Sequence, residues 1–556
     1  MDPPPPEDRR WTAALLAVVL VLAVVPPLIP MVRGLVPGHP ASDMPDHLVD
    51  CWWWGGELLA GRLPWFQHDA LYPDGGVLWY ADPVGASLAL ALRWLGPAWS
   101  FSGALVLQCA AAAGAAWWLG RRVCGSGSGA FVCACVAGPS AYLVGVLHSG
   151  FSEYAGVWVL ALFLGVLLDW LDRGERWWAP PLVMGLAALQ AVYYGLFCAV
   201  VAGCLVVGPG RRWVRIRRVA VVVGFGSLLV LPLLLLVRAS VLHPAAIMPL
   251  ESAPGWVATL PAVDLLGFLA PFDWYSPDTP ALGNPGILHV HHLGLVALAF
   301  AALGWGHPRA GSVRWGAVVW AVIGLGPALM VGRELVQVAG GPVPLPGRLL
   351  FGDGAVLQVI HHPYRLVALT LPLLGLLAAL GSERLGRWAP LVGLVVIVEA
   401  WALSPAPFPL VGTDPRPPAV YDELPPGAVL DLPPDLRAPN RSYRLWSVSH
   451  GRPVPYALSR WLSPSLRQDP EVRELLQDLR LPPRLRNRDI PAREAPWLPT
   501  VEHGGLVGLG FGAVVVHEDL LAEQERRRLE RRLHERFGPP SRVDGPRVRW
   551  DVGAGP

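Results

Sequence analysis

Long apolar segments with few or no charged residues recur through the first 404 residues, and they constrain the fold more than any other feature of the sequence. A helix needs about 20 consecutive apolar residues to cross a bilayer, and most of these segments reach or approach that length. Only 15% of the 556 residues are charged, whereas soluble domains carry roughly 25%. We therefore predict a mainly α-helical, polytopic membrane protein. The apolar segments are residues 12–31, 101–120, 129–147, 154–168, 178–207, 219–237, 291–306, 315–332, 366–381 and 388–404.

Five short loops that contain arginine indicate how these segments are oriented. Cytoplasmic loops of membrane proteins carry an excess of basic residues. If all five loops face the cytoplasm, residues 84–96 cannot cross the membrane and residues 178–207 must cross it twice. This arrangement gives about 11 transmembrane helices in the inner (plasma) membrane, with a cytoplasmic N-terminus. The loops carry Arg121 and Arg122, Arg173 and Arg176, the group from Arg211 to Arg218, Arg309 and Arg314, and Arg384 and Arg387.

Three segments need separate interpretation. Residues 12–31 are longer than the apolar core of a cleaved signal peptide, so we expect a retained first helix. Residues 84–96 are short and contain Arg93, which favours a re-entrant or interfacial helix. Residues 178–207 are interrupted by Gln190 and predict either one long helix or a hairpin of two short ones.

The last part of the chain, residues 405–556, differs in composition from the rest. It holds 20 acidic residues and 22 arginines, which is 42 of the 86 charges in the chain. Residues 427–432 and 513–516 have the apolar, β-branched character of buried strands, and residues 520–537 predict an amphipathic helix. We therefore divide the chain into a transmembrane domain, residues 1–404, and a small C-terminal α/β domain on the extracytoplasmic side, residues 405–556.

The loop after the first helix, residues 32–82, is the most chemically promising part of the sequence. Asp43, Asp46 and His47 lie close together, and Asp50 follows one helical turn after Asp46, so that Asp46 and Asp50 share a face of any helix there. Carboxylates at a membrane surface can act as general bases or bind a divalent metal ion. The alternative is a solvated loop in which Asp43 caps a helix.

The tryptophans of the same loop are candidates for stacking on sugar rings, and Tyr72 is a candidate for substrate binding. The tryptophans are Trp52, Trp53, Trp54, Trp65 and Trp79. An aromatic belt at the membrane interface explains individual tryptophans equally well. His148 and Glu153 lie at another expected outer turn, where they either contact substrate or cap and solvate the helix end.

The stretch His361-His362-Pro363-Tyr364-Arg365 begins a late apolar segment. An arginine at this depth is costly unless it is paired, and its planar guanidinium is well suited to phosphate. Arg365, with His362 and Tyr364 beside it, therefore predicts a phosphate site, with an arginine that snorkels to the interface as the alternative.

These features resemble the GT-C class of integral-membrane glycosyltransferases, in particular the bacterial multi-pass members that use lipid-linked sugars. The resemblance is carried by an acid soon after the first helix, by a late span that begins with His362-Pro363-Tyr364-Arg365, and by three motifs in the first loop. Those motifs are His47-Leu48 with Trp52-Trp53, Gly61-Arg62-Leu63-Pro64-Trp65, and Tyr72-Pro73-Asp74-Gly75.

The resemblance implies inverting transfer of a sugar from a polyprenyl-phosphate carrier to an acceptor on the extracytoplasmic side. It also implies that an acid in the first loop acts as general base. Asp43 matches that position best, but Asp46-His47 departs from the simpler family pattern and leaves the base divided between Asp43 and Asp46. Some members use a divalent cation such as Mg²⁺ or Mn²⁺ and others use no metal.

The expected partners are a polyprenyl-phosphate-sugar donor, membrane lipid, and a glycan, lipid or protein acceptor. The arginines of residues 526–536 alternate with glutamates, which favours a solvated helix face over nucleic-acid binding. Two other functions remain open: a transporter or flippase of lipid-linked glycans, and a non-catalytic cell-envelope assembly protein. A transporter predicts polar groups near the middle of the spans or inverted repeats.

Overall fold

The computed structural model describes residues 9–80, 82–206, 212–247, 263–270, 286–332, 334–351, 363–434, 439–457, 462–477, 479 and 504–553. Most of these residues are helical. In chain order the helices are α1 Arg9–Val32, α2 Met44–Leu59, α3 Pro83–Ala91, α4 Pro97–Cys124, α5 Gly127–Ala137, α6 Ala141–His148, α7 Ser152–Ala155, α8 Trp158–Arg173, α9 Ala179–Gln190, α10 Val192–Cys204, α11 Arg212–Leu242, α12 Leu295–Gly304, α13 Gly311–Gly324, α14 Arg348–Phe351, α15 Val367–Ser382, α16 Ala389–Leu403, α17 Pro439–His450, α18 Pro464–Gln468, α19 Pro470–Gln477, α20 Gly505–Gly508 and α21 Glu523–Phe537.

The strands are short except in the C-terminal part of the chain. They are β1 Val36–Pro37, β2 Phe66–Gln67, β3 Gly76–Val77, β4 Met330–Val331, β5 Glu334–Leu335, β6 Gln337–Val338, β7 Gly341–Pro342, β8 Gly412–Thr413, β9 Ala428–Leu432, β10 Phe511–His517, β11 Arg542–Asp544 and β12 Arg547–Asp551.

The chain forms two compact units, each built from separate stretches of sequence. The first unit comprises Met1–His39, Ala81–Leu235 and Pro254–Thr413, and the second comprises Pro40–Tyr80, Leu236–Ala253 and Asp414–Pro556. Most of the loop after the first helix therefore belongs to the same unit as the C-terminal segment. The sequence alone assigns this loop to the transmembrane domain, residues 1–404. Backbone hydrogen bonds explain this grouping, because Tyr72 donates to Val454 (3.2 Å) and Val454 donates to Asp69 (3.0 Å).

Among the residues that the structure describes, six helical stretches are long and apolar enough to cross a membrane, which makes the chain a multi-pass membrane protein. The count of about 11 transmembrane helices is not confirmed, because several apolar helices are only 10–17 residues long. The six stretches are Arg9–Val32, Pro97–Cys124, Gly127–His148, Ser152–Arg173, Arg212–Leu242 and Pro363–Leu403, and the last one contains both α15 and α16.

The structure describes two of the unusual segments. Residues 178–206 contain two short helices, α9 and α10, separated by Ala191 in an extended conformation. A Cβ added to Gly195 would lie 2.6 Å from the Cβ of Ala188, so the two helices fold back on each other as a hairpin. Residues 84–96 form α3 and a 3₁₀ turn, Arg93–Leu95, and α3 has 9 residues, which is too short to span a bilayer.

The apolar segment 315–332 is not one helix, contrary to expectation. Helix α13 ends at Gly324, and the strand β4 begins at Met330. Gly326 has a positive φ of 88°, and Pro327 follows it, so the chain cannot continue as a helix.

Ion pairs and hydrogen bonds connect the arginine-bearing loops at one end of the first unit. Arg122 pairs with Asp169 at the end of α8, and Arg215 lies 3.5 Å from Asp172 in the same turn. Arg309 donates to the carbonyl of Cys124, over 2.6 Å. The loops that the basic-residue pattern assigned to one side therefore share one end of this unit.

One acidic residue, Glu399, interrupts the last apolar segment, and its carboxylate contacts the start of a neighbouring helix. The carboxylate of Glu399 accepts hydrogen bonds from the backbone N–H groups of Leu295 (2.5 Å) and Val296 (3.0 Å) at the start of α12. These N–H groups have no partner within their own helix, and the helix dipole favours a negative charge there. Glu399 therefore satisfies a helix end.

The second unit contains a mixed four-stranded sheet in the order β11-β12-β10-β9. Strands β10 and β9 are parallel, and β12 is antiparallel to both β10 and β11. The strands predicted at 427–432 and 513–516 are β9 and β10. Leu529 and Leu533 of α21 are fully buried in the core of this sheet, and most of the charged residues of the helix are exposed, although Glu525 in its first turn is buried.

A buried polar cluster lies near the carboxyl ends of the parallel strands. Asp431 in β9 is fully buried, and its Oδ1 accepts a hydrogen bond from the hydroxyl of Tyr421 over 2.5 Å. The same oxygen lies 3.2 Å from Nε2 of His517, and the ring of His450 stacks on Tyr421 with ring centroids 5.3 Å apart. Burial lowers the pKa of His450 to about 4, so this imidazole is neutral in the folded protein at pH 7.

We expect His450 to make the fold less stable as the pH falls from 7 to 4. The unfolded chain takes up a proton on His450 near pH 6.5 and the folded chain only near pH 4, so acid favours unfolding by up to about 3 kcal/mol. Thermal melting across this range, wild type beside His450→Gln, measures the effect. The wild type should lose more stability than the variant, and parallel pH profiles would contradict the expectation.

Candidate active site

Helix α2 positions the three acids of the first loop. Pro45 is tolerated near the start of this helix, where backbone N–H groups lack partners, and Asp43 immediately precedes it. Asp46 and Asp50 are one turn apart and project from the same face, as the spacing predicted. Asp43 makes no side-chain capping bond to the helix, so the capping alternative does not account for its carboxylate.

Arg444 of α17 clamps the two acids that share a helix face. One Nη atom of Arg444 pairs with Asp46, and the other donates to Oδ1 of Asp50 over 2.7 Å. Nε2 of Gln67 lies 3.3 Å from the same Asp50 oxygen. The three charged side chains are at most 5% exposed. An arginine with two directed Nη donors suits such a buried bridge.

Arg441, one helical turn before Arg444, pairs with the third acid. Its guanidinium forms an ion pair with Oδ1 of Asp43, and its Nε lies 3.7 Å from Oδ2 of Asp46. The side chains of Asp43 and Arg441 are 18% and 14% exposed, whereas that of Asp46 is 2% exposed. Asp43 is therefore more accessible than Asp46.

The charge state of Asp46 depends on two opposing effects. Burial raises the pKa of Asp46, and the guanidinium groups of Arg444 and Arg441 oppose that rise. A buried carboxylate held by a buried guanidinium is expensive to disrupt, because the remaining charge has no partner. The geometry assigns Asp46 and Asp50 to holding α2 against α17.

The other predicted residues of the first loop pack into the second unit. The hydroxyl of Tyr80 donates to the carbonyl of His47 over 3.2 Å. Trp53 packs on a small apolar cluster that includes Leu71. Tyr72 meets Phe511 edge-on, with ring centroids 5.5 Å apart. A sugar-stacking role for Trp53 and a substrate-binding role for Tyr72 stay predictions.

Arg365 lies in an aromatic cage in the first unit. Its guanidinium carbon is 4.4 Å from the ring centroid of Tyr154, 5.3 Å from that of Tyr193 and 5.7 Å from that of Phe151. Arg365 is 9% exposed, and its Nε has no hydrogen-bond partner among the described residues. Aromatic faces stabilise a cation and leave its N–H donors available to an anion.

Polar groups from three elements meet beside the turn that carries Glu153, in the first unit. Nε2 of Gln190 donates to Oδ1 of Asp82 (2.9 Å) and to the carbonyl of Glu153 (3.1 Å). The same Asp82 oxygen accepts from the backbone N–H of Gly85 over 2.7 Å. Gln190 thus joins the hairpin of α9 and α10 to the turn that carries Glu153.

The remaining predicted residues of this unit are buried among aromatic rings. The ring of His148 lies 5.2 Å from that of His39, and Tyr364 meets His289 edge-on at 4.8 Å. His362 lies outside the described residues. The sequence-predicted residues thus fall into two groups, with Asp43, Asp46, His47, Trp53 and Tyr72 in the second unit and His148, Glu153, Tyr364 and Arg365 in the first.

The acids of the first loop do not fit a divalent-cation site as they stand. Each of Asp43, Asp46 and Asp50 is paired with a guanidinium group, which occupies oxygen atoms that a cation would need. Among the residues that the structure describes, no group of three or more histidine, cysteine, aspartate or glutamate side chains is placed to hold a metal ion.

Comparison with known proteins identifies the fold. No protein-family model matches the sequence, and no curated protein matches it. Among solved structures, the chain is similar to ArnT from Cupriavidus metallidurans bound to undecaprenyl phosphate, with a TM-score of 0.52 and 13% identity, over 98% of this chain and 99% of that one. It is also similar to the oligosaccharyltransferase AglB from Archaeoglobus fulgidus in complex with an inhibitory peptide and a dolichol-phosphate, with a TM-score of 0.53 and 12% identity, over 94% of this chain and 72% of that one.

These similarities define the class of the fold: the chain is folded like the GT-C integral-membrane glycosyltransferases. The similarity to ArnT extends over nearly the full length of both chains, from the first helix to the C-terminal sheet. The resemblance seen in the first loop and in the late span is thereby confirmed at the level of the fold.

Proposed function

We propose that this protein is an inverting membrane glycosyltransferase that moves a sugar, a hexose or a pentose, from a polyprenyl-phosphate carrier to a glycan, lipid or protein acceptor. The observation that carries the proposal is the buried guanidinium of Arg365 at the start of a membrane helix, within a GT-C fold. Its Nε has no hydrogen-bond partner among the described residues. The structures of ArnT and AglB contain undecaprenyl phosphate and a dolichol-phosphate, which supports a lipid-linked donor.

The reaction needs a base for the acceptor and stabilisation for the leaving group. The acceptor hydroxyl attacks the anomeric carbon, its proton passes to a carboxylate, and the bond from the anomeric carbon to the phosphate oxygen breaks. The electron pair stays on the lipid phosphate, where a guanidinium stabilises the negative charge. We assign proton transfer to Asp43 and phosphate binding to Arg365.

Accessibility supports Asp43 over Asp46 as the base. A general base must come within hydrogen-bond reach of the hydroxyl that it deprotonates. The side chain of Asp46 is 2% exposed and is held by Arg444, whereas that of Asp43 is 18% exposed. Asp46 then stabilises the packing of α2 against α17 through its ion pair with Arg444.

The proposed orientation places the N-terminus in the cytoplasm and the C-terminal sheet outside it, in the plasma membrane. The arginine-bearing loops gathered at one end of the first unit support this, because such loops concentrate on the cytoplasmic side. The acids of the first loop then face the extracytoplasmic side. The reaction there needs no nucleotide-activated donor, because the sugar is already activated by its link to polyprenyl phosphate.

The transporter alternative depends on polar groups within the spans. Nε2 of Gln190 donates to Asp82 and to the carbonyl of Glu153, whereas its Oε1 is buried without a hydrogen-bond partner among the described residues. Gln108 in α4 is also buried and has no hydrogen-bond partner within the described part of the chain.

Replacing the proposed base tests this function. We expect Asp43→Asn to lower the rate of sugar transfer from a polyprenyl-phosphate donor by about 100-fold or more, because proton transfer by a positioned base contributes that much. The assay follows labelled sugar in purified, reconstituted protein. Asp69→Asn is the matched control, since Asp69 is an exposed acid of the same loop, and it should transfer at the wild-type rate. Full activity of Asp43→Asn would remove Asp43 as the base.

A further inference from the structure

We infer that Arg441, contributed by the C-terminal segment, is a positioning residue that holds the Asp43 carboxylate in place for proton transfer. This inference rests on the proposed function, in which Asp43 accepts the proton of the acceptor hydroxyl. It is drawn from the contacts that Arg441 makes with the residues just before and at the start of α2.

Arg441 attaches to this short segment at three points. Its guanidinium pairs with Asp43, its Nη1 lies 3.4 Å from the carbonyl oxygen of Ala41, and its Nε lies 3.7 Å from Oδ2 of Asp46. One side chain therefore fixes both the backbone before the helix and the orientation of the carboxylate.

Local structure does not fix Asp43 by itself. Its side chain makes no capping hydrogen bond, and Oγ of Ser42 instead accepts from the backbone N–H of Met44 over 3.2 Å. Ser42 thus stabilises the start of the helix. The Asp43 carboxylate depends on Arg441 for its orientation.

The ion pair holds one carboxylate oxygen. Arg441 pairs with Oδ1 of Asp43, and the side chain of Asp43 is 18% exposed. A carboxylate acts as a base through one lone pair at a time, so a guanidinium on one oxygen orients the other toward the acceptor.

The two arginines of α17 have different roles. Arg444 is 2% exposed and bridges two buried acids, which makes it part of the core. Arg441 is 14% exposed and pairs with the most accessible of the three acids. Arg441 can therefore be replaced at lower structural cost than Arg444, and its effect on the reaction can be measured.

The test compares Arg441→Gln and Arg441→Lys in the sugar-transfer assay, each alone and with Asp43→Asn. We expect Arg441→Gln to lower kcat by about 10- to 100-fold, with the KM for the acceptor changed less than about threefold. Arg441→Lys, which keeps the charge, should recover most of that loss. In the Asp43→Asn background, Arg441→Gln should have no further effect, because the group that it positions is gone. Arg416→Gln is the control, since Arg416 is 80% exposed and pairs only with nearby Asp414.

Several results would overturn the inference. Wild-type kcat in Arg441→Gln would show that Asp43 needs no positioning. An equal loss in the wild-type and Asp43→Asn backgrounds would show that Arg441 acts elsewhere. A loss of folding in Arg441→Gln that Arg441→Lys does not repair would assign Arg441 a structural role. Absence of transfer by the wild type, or full transfer by Asp43→Asn, would refute the proposed function or base and this inference with it, whereas the first three results leave both standing.

Discussion

Replacing Arg365 by alanine is expected to reduce sugar transfer by about 100- to 1,000-fold while the protein remains folded and inserted. Removing one preorganised donor from a developing negative charge typically has an effect of this size. Arg365 lies in a cage formed by Phe151, Tyr154 and Tyr193, and its Nε has no partner among the described residues. Its loss therefore removes a donor for phosphate, and it also removes the positive charge that acts on the buried carboxylate of Glu153. The rate of release of polyprenyl phosphate from a lipid-linked donor measures the effect.

A matched substitution separates phosphate binding from general damage. Arg387 also lies over an aromatic ring, 5.1 Å from the centroid of Trp388, but it is exposed. Arg387→Ala should transfer sugar at the wild-type rate. Arg365→Lys should retain part of the activity, because it keeps the charge but loses the planar geometry. An Arg365→Ala protein that transfers sugar normally would exclude a role for Arg365 in binding phosphate.

Replacing Arg444 by methionine is expected to lower the free energy of unfolding of the second unit by about 3–5 kcal/mol. The loss arises because Asp46 and Asp50, with side chains 2% and 5% exposed, keep their burial and lose the arginine that bridges them, which leaves Asp46 with the more distant Arg441 at 3.7 Å. Chemical denaturation in detergent, followed by limited proteolysis of the C-terminal segment, measures the effect.

Removing the carboxylates as well should restore most of the stability lost in Arg444→Met. In the triple variant with Asp46→Asn and Asp50→Asn, neither of these two buried side chains carries a charge. Most of the loss of stability caused by Arg444→Met therefore disappears. Arg416→Met is the control, because an exposed ion pair contributes at most about 1 kcal/mol. If Arg444→Met is no less stable than Arg416→Met, the buried bridge does not hold α2 against α17.

The apolar pattern of the sequence was sufficient to predict most of the helices of the first unit. A run of apolar residues has few alternatives to a helix in a membrane, because backbone groups must bond within the segment. The ends of the helices were less predictable. The chain leaves the helix at Gly324 although the sequence stays apolar to residue 332, because a glycine with positive φ and a proline follow.

The acids of the candidate site were recognisable from local spacing, but their partners were not. Asp46 and Asp50 are four residues apart, which places them on one helix face whatever surrounds them. Arg441 and Arg444 are three residues apart on a helix nearly 400 positions away, in a segment rich in arginine. The signal that could have identified them is their spacing. Two arginines about one helical turn apart can pair with two acids about one helical turn apart on another helix.

Two aromatic residues show what the loop motifs leave undetermined. Trp53 and Tyr72 occur in motifs of the first loop that carry the family resemblance, and their contact with substrate stays a prediction. The structure places Tyr72 against Phe511 and Trp53 against a cluster that contains Leu71. Residue type and neighbours in sequence do not reveal which face of a loop meets a core and which face meets solvent.

The most direct test of the proposed function is transfer by the purified wild-type protein, reconstituted in lipid and supplied with polyprenyl-phosphate donors that carry different hexoses and pentoses. We predict that at least one donor yields a glycosylated acceptor and free polyprenyl phosphate in equal amounts, with inverted anomeric configuration. Failure to transfer from every donor, while the protein remains folded and binds polyprenyl phosphate, would contradict the assignment as a glycosyltransferase and favour a transporter or assembly role.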